Sequence, residues 1–154
     1  MNKSHYLAYA NHFKRLYVQL FQPIAQQYGL SQLEIDVLLF LHNNPGCNTA
    51  RDIVELRGVS KSNVSTAVES LRSRGFLTTD RDPDNRRIQR LTLSDELHDL
   101  LEELTDCQDR CLQITMEGFL PEERAALDGF LARADRNVLR ALGDKWEGEG
   151  RERK

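Results

Sequence analysis

Arg51, Arg57, Lys61, Arg72, Arg74, Arg81, Arg86, Arg87 and Arg90 crowd the middle of a 154-residue chain whose formal net charge is -3. Fixed positive charge at this density is chemistry for phosphate, because each cation can displace a counterion from a nucleic-acid backbone. Asp95, Glu96, Asp99, Glu102, Glu103, Asp106 and Asp109 follow before the next base, Arg110. An acidic run alone is usually a solvated helix face, but here it joins a basic head to an acidic stalk. A pI near 5.8 argues against a protein that coats nucleic acid generally, so any footprint must be local.

Other residue types offer less. Cys107 and Cys111, four apart, could bind a metal or sense oxidants. They also continue an apolar stripe of Leu97, Leu100, Leu101, Leu104 and Ile114, and cysteine packs as a small hydrophobe, so core packing is the expectation. Cys47 sits beside a turn and is expected to be exposed, with no charged residue within three positions to activate it. His5, His12, His42 and His98 are scattered and fit no metal signature. No nucleophile elbow, phosphate loop or dinucleotide fingerprint occurs, so neither an enzyme nor a cofactor is expected. Hydrophobic content of 40% and charged content of 29% are ordinary for a globular protein. No apolar run approaches the roughly 20 residues of a membrane span, and the expected location is cytoplasmic.

These side chains must be carried by helices and one hairpin. Tyr6, Tyr9, Ala10, Phe13, Leu16, Tyr17, Leu20, Phe21 and Ile24 form a helical stripe over Ser4 to Tyr28, kinked at Pro23. Gly29 stops it, and Ser31 with Glu34 forms a capping box for a largely apolar, buried helix from Gln32 to Asn43. Thr49 caps Ala50 to Arg57, Gly58 turns, Val59 plugs the turn, and Ser60 caps a helix reaching Arg74. Gly75 closes that helix. Phe76 to Arg81 and Ile88 to Leu93 read as strands about a polar turn, Asp82 to Arg87. Ser94 caps a long helix to about Phe119, and Pro121 opens a last one to about Leu142.

Two short helices joined by a tight turn and followed by a hairpin form a winged helix-turn-helix, in a mainly α fold. With Val64, Val68 and Leu71 turned to the core, Ser62, Thr66 and Ser73 face away, flanked by Ser65 and Glu69. Lys61, Asn63, Ser70 and Arg72 lie on the borders. A merely solvated helix would favour Glu and Lys pairs, whereas small hydroxyls and an amide suit close entry into a major groove. The recognition surface is therefore expected at Ser60, Lys61, Ser62, Asn63, Ser65, Thr66 and Arg72, with Arg81, Arg86, Arg87 and Arg90 on the wing.

Thr49-Ala50-Arg51-Asp52-Ile53-Val54, Val59-Ser60-Lys61-Ser62-Asn63-Val64-Ser65 and Leu71-Arg72-Ser73-Arg74-Gly75-Phe76-Leu77 resemble the MarR family of bacterial regulators. So do the wing, Asp82-Pro83-Asp84-Asn85-Arg86-Arg87, and Leu91-Thr92-Leu93-Ser94 after it. Asn85 stands where the family usually has Asp before the wing arginine, leaving Asp84 as the carboxylate to orient Arg86. The resemblance implies a homodimer that binds a pseudo-palindromic double-stranded operator. It also implies repression relieved by a small aromatic or anionic ligand, or by thiol oxidation. Tyr9, Phe13 and Tyr17 could line such a ligand's pocket, or belong to core or interface.

The expected organisation is a helical dimerisation region, 1–30 and 119–143, around a DNA-binding domain, 31–93. A connecting helix spans 94–118, and a polar tail, 144–154, is expected to be disordered. A winged-helix protein-interaction module and a thiol-based redox sensor remain as alternatives.

Overall fold

Helix starts in this chain are made by side chains that replace the acceptors a first turn lacks. The computed structural model describes residues 3–143, apart from the side chains of Lys3 and Leu56, so the expected disordered tail lies outside the described residues. Helix α1 (Lys3–Tyr28) continues through Pro23 as helix, giving up the main-chain bond that proline cannot donate. Gly29 leaves it at φ 61°, a left-handed conformation that costs glycine nothing. Ser31 and Glu34 then close a capping box on α2 (Gln32–Asn43). Thr49 and Asp52 do the same for α3 (Ala50–Arg57). Gly58, at φ 62°, turns the chain into Ser60, which caps α4 (Lys61–Ser73).

Strands β1 (Leu77–Arg81) and β2 (Gln89–Leu93) pair antiparallel, from Leu77 opposite Leu93 to Arg81 opposite Gln89. Each is one residue shorter than the sequence pattern suggests. Ser94 caps a single 3-10 turn, Asp95–Leu97, rather than the long helix directly, and α5 (His98–Thr115) follows. The expected run to Phe119 is broken because Gly118 takes φ 81° and the chain turns. Helix α6 (Pro121–Leu142) begins on proline and ends at Gly143.

The chain divides into two units, Met1–Thr115 and Met116–Lys154. In the first, α2 is the buried centre: Ile35, Val37, Leu38 and Leu39 are inaccessible. Phe21 from α1, Ile53 from α3, Val64, Ala67 and Leu71 from α4, the hairpin's Leu77 and Leu91, and Leu100 and Leu104 from α5 complete one core. The lower half of α1 also packs into this head: Phe21 is fully buried there, and Tyr17, Ile24, Ala25 and Tyr28 pack against the core. Tyr28 also donates to Glu103 Oε1 at 2.8 Å, tying α1 to α5. In the second unit, α6 buries none of its residues. Its entry turn is held by Arg124, which donates to the carbonyls of Met116 and Phe119.

Candidate nucleic-acid interface

Helix α4 divides cleanly. Val64, Ala67 and Leu71 are buried, while Lys61, Ser62, Asn63, Ser65, Thr66, Glu69, Arg72 and Ser73 are exposed. The expected outward face is thus present, with Ala67 an added core contact. Ser60 accepts the Asn63 amide at 3.3 Å, and its Oγ lies 3.3 Å from that of Ser62. The Thr66 hydroxyl donates to the Ser62 carbonyl at 3.0 Å, leaving a lone pair and the methyl group for a partner. Arg72 is held by Glu69 through two bonds, Nε to Oε2 at 3.0 Å and Nη2 to Oε1 at 2.7 Å. Ser70 leaves the exposed face altogether and donates to Oε1 of Glu34. Burial would push the Glu34 carboxyl up, but hydrogen bonds from Ser70 and Ser31 outweigh it and hold the group below its ordinary value.

The wing turn is organised by Asp82, which the sequence reading overlooked. One oxygen accepts the amides of Asp84 and Asn85, each at 2.9 Å. The other accepts Arg90 Nε at 2.7 Å, with Arg90 Nη2 also at 2.7 Å. Arg90 Nη1 reaches Asn48 Oδ1 at 2.9 Å, and the Asn48 carbonyl takes the Leu91 amide at 2.7 Å. Arg90 is therefore a brace inside the wing, where exposure to DNA was expected. Asp84 contributes an amide to the turn and makes no ion pair with Arg86; the carboxylate that organises the turn, Asp82, is paired with Arg90 instead. The Arg90 guanidinium, and then the Asn85 amide, hold the Asp82 carboxyl below the usual carboxylate range. A local signal existed, since aspartate commonly accepts amides two and three residues on in a turn. No spacing rule points to Asn48.

Arg81, Arg86 and Arg87 are exposed, and with Lys61 they have no carboxylate within ion-pair distance among the described residues. Other members of the basic cluster are engaged. Arg51 pairs with Glu55 at 2.6 Å, Arg57 lies over the Phe40 ring, and Arg74 donates to the carbonyls of Tyr28 and Gly29. Within this basic cluster, free cationic charge thus lies at the wing tip and the start of α4.

Tyr9, Phe13, Tyr17 and Phe21 climb one face of α1, with successive ring centroids 6.1, 6.4 and 4.5 Å apart. Tyr9 is 51% exposed, Phe13 and Tyr17 half-buried. The Tyr17 hydroxyl donates to Asp36 Oδ1 at 3.3 Å, and Gln32 donates to the same oxygen at 3.1 Å. Burial, with the Asp36 charge beside it, pushes the Tyr17 hydroxyl far up, and burial raises the Asp36 carboxyl.

Cys111 is buried and Cys107 half-buried, as core packing requires. Burial pushes both thiols up, away from the thiolate form that metals and oxidants need. Cys47 is half-buried against the core rather than exposed, because its amide bonds the Asn44 carbonyl and folds the turn inward. Among the described residues no group of three His, Cys, Asp or Glu side chains could hold a metal. No described helix is long and apolar enough to cross a membrane.

A capped two-helix unit, a braced hairpin and their shared core define a winged helix-turn-helix protein. Residues 28–88 match the model of the MarR family. No curated protein matches the chain by sequence. Among solved structures it is similar to a putative MarR-family transcriptional regulator from Listeria monocytogenes complexed with 26mer DNA. That likeness has a TM-score of 0.77 at 14% identity and covers 92% of this chain and 97% of that one. It is also similar to Bordetella bronchiseptica BpsR, whose DNA binding is regulated by 6-hydroxynicotinic acid, at TM-score 0.66 and 25% identity over 88% and 94% of the chains. A third is the organohalide-sensing regulator RdhR-CbdbA1625 bound to 2,4-dichlorophenol, at TM-score 0.66 and 18% identity over 90% and 83%.

Proposed function

We propose that this protein is a homodimeric, cytoplasmic transcriptional regulator that reads double-stranded DNA through α4 and the wing. The observation that carries this is a face of small hydroxyls and an amide on α4 beside a braced hairpin whose Arg86 and Arg87 face solvent unpaired. Such a helix can approach base edges, and such a loop can sit against phosphates or in the minor groove. Ser60 positions the start of α4, Lys61, Ser62, Asn63, Ser65, Thr66 and Arg72 meet the groove, and Arg81 supplies further charge. The Listeria relative, solved with DNA, supports the same use of the fold here.

The regulator acts as a repressor whose hold on a pseudo-palindromic operator is released by a small aromatic or anionic ligand. Tyr9, Phe13 and Tyr17 supply aromatic surface for it, and the similar proteins, one regulated by 6-hydroxynicotinic acid and one solved with 2,4-dichlorophenol bound, support that class of effector. Release by thiol oxidation is disfavoured, since burial raises the Cys107 and Cys111 thiols.

Selection of bound sequences from random duplexes tests the reading, and the expected product is a two-fold site with half-sites about one helical turn apart. Arg86→Ala should then weaken binding to the selected site and to unrelated DNA alike, lowering the salt slope by about one. A chain that enriches no sequence, or an Arg86→Ala variant indistinguishable from wild type at every salt concentration, would move the protein-interaction reading ahead.

A further inference from the structure

The C-terminal end of α4 is fastened to the end of α1 by a cation that a charge tally would assign to the DNA face. Arg74 turns its guanidinium back onto the α1–α2 corner, donating from Nη1 to the Gly29 carbonyl at 2.9 Å and from Nη2 to the Tyr28 carbonyl at 2.6 Å. Its guanidinium carbon lies 4.6 Å from the centroid of the Phe76 ring. One turn earlier, Ser70 donates to Glu34 Oε1, while Glu34, only 6% exposed, takes the Ser31 amide on Oε2 at 2.7 Å. The corner thus receives polar ties from two α4-end residues, Arg74 at Tyr28 and Gly29 and Ser70 at Glu34.

The chemistry suits the residue. Carbonyls at a helix C-terminus lack intrahelical donors and carry the negative end of the helix dipole. A planar fork of fixed charge can satisfy two of them together, which a lysine ammonium on a flexible stem cannot do in the same geometry. Val64, Ala67 and Leu71 also hold α4, but apolar contacts are non-directional and allow a helix to roll. Hydrogen bonds to named carbonyls and to a buried carboxylate fix its angle.

We infer that Arg74, assisted by Ser70 and Glu34, is a positioning residue that locks the recognition helix to α1 and so sets the separation of the two recognition helices in the dimer. This rests on the proposed DNA reading and on pairing of two copies through α1. The lever is long. Helix α1 has 26 residues, about 39 Å at the usual rise, so a tilt of about 10° at the corner moves its far end by about 7 Å. That is roughly two base-pair steps in a half-site spacing of about 34 Å.

The test uses the full chain and the selected operator, together with operators lengthened or shortened by one base pair between half-sites, and an isolated half-site. The wild type should show a sharp spacing optimum. Arg74→Gln should bind the correctly spaced operator on the order of tenfold more weakly and accept the altered spacings almost equally. Its half-site binding should change little. Arg74→Lys keeps the charge and should not restore the optimum. Ser70→Ala, a smaller change to folding, should broaden the same profile in the same direction. A general loss of stability would lower the melting temperature without flattening the spacing profile. An Arg74→Gln variant that keeps the wild-type optimum, or an Arg74→Lys variant that restores it, would overturn the inference while leaving the DNA reading intact. A wild type that selects no duplex would overturn the DNA reading and this inference with it.

Discussion

Thr66 spends its hydroxyl hydrogen on the Ser62 carbonyl, so what it offers to a base edge is a methyl group and a lone pair. A methyl matches the thymine methyl of a major groove. Thr66→Val should therefore keep the wild-type sequence preference, while Thr66→Ala should relax it at one or two base pairs by roughly 1 kcal/mol. Binding measured on a panel of single-base operator variants distinguishes them, and a Val variant as permissive as the Ala variant would assign the reading to the lone pair instead. The outward direction of Thr66 was legible in the sequence, because helical periodicity settles which side of α4 is buried. The roles of the arginines were not. Arg86 and Arg90 stand four apart in one basic segment, yet Arg86 faces solvent while Arg90 is spent on Asp82 and on Asn48, 42 residues away. Arg74 is likewise committed to carbonyls 45 and 46 residues earlier. Charge is read from residue type, but a charge partner is chosen by distance in space.

The wing has a pH dependence of its own. Asp82 is held below the usual carboxylate range by Arg90 and by turn amides, so its ionised form stabilises the folded hairpin. A depressed folded value means that this contribution is fully present above the ordinary carboxylate value of about 3.9, and is lost as pH falls through the lower folded value. The Asp84 and Asn85 amide resonances should shift together with a midpoint below that ordinary value, and Arg90→Ala should move the midpoint upward. A midpoint at or above it in the wild type would contradict the brace. Helix starts were legible at this scale because a cap and its amide lie within three residues, as at Ser31, Thr49 and Ser60. The apolar stripe of α5 points to a helix end near Phe119, but the helix ends at Thr115, ahead of Gly118. That glycine, at φ 81°, was the local stop signal and outweighed the stripe.

Among the described residues, α1 and α6 both leave apolar surface uncovered. Tyr6, Leu7 and Tyr9 on α1 are each more than half exposed, and α6 leaves Phe130, Leu131, Val138 and Leu142 open. Exposed apolar area of this kind marks an interface, and in the proposed dimer both surfaces are buried between copies. Equilibrium sedimentation at micromolar concentration should give a dimer, and Leu131→Glu with Val138→Glu should give a folded monomer that binds half-sites only. A monomeric wild type would remove the two-fold basis of operator reading. The sequence by itself determined the succession of helices, the hairpin and the outward face of α4, because caps, turns and periodicity are settled between neighbours a few residues apart. Only the tertiary structure decided that the lower half of α1 belongs to the head, through Phe21, and that Cys47 turns inward. It also decided which cations stay free for a partner: Asn48, Asp82, Glu34 and the carbonyls of Tyr28 and Gly29 claim their donors across the fold, where sequence separation carries no information.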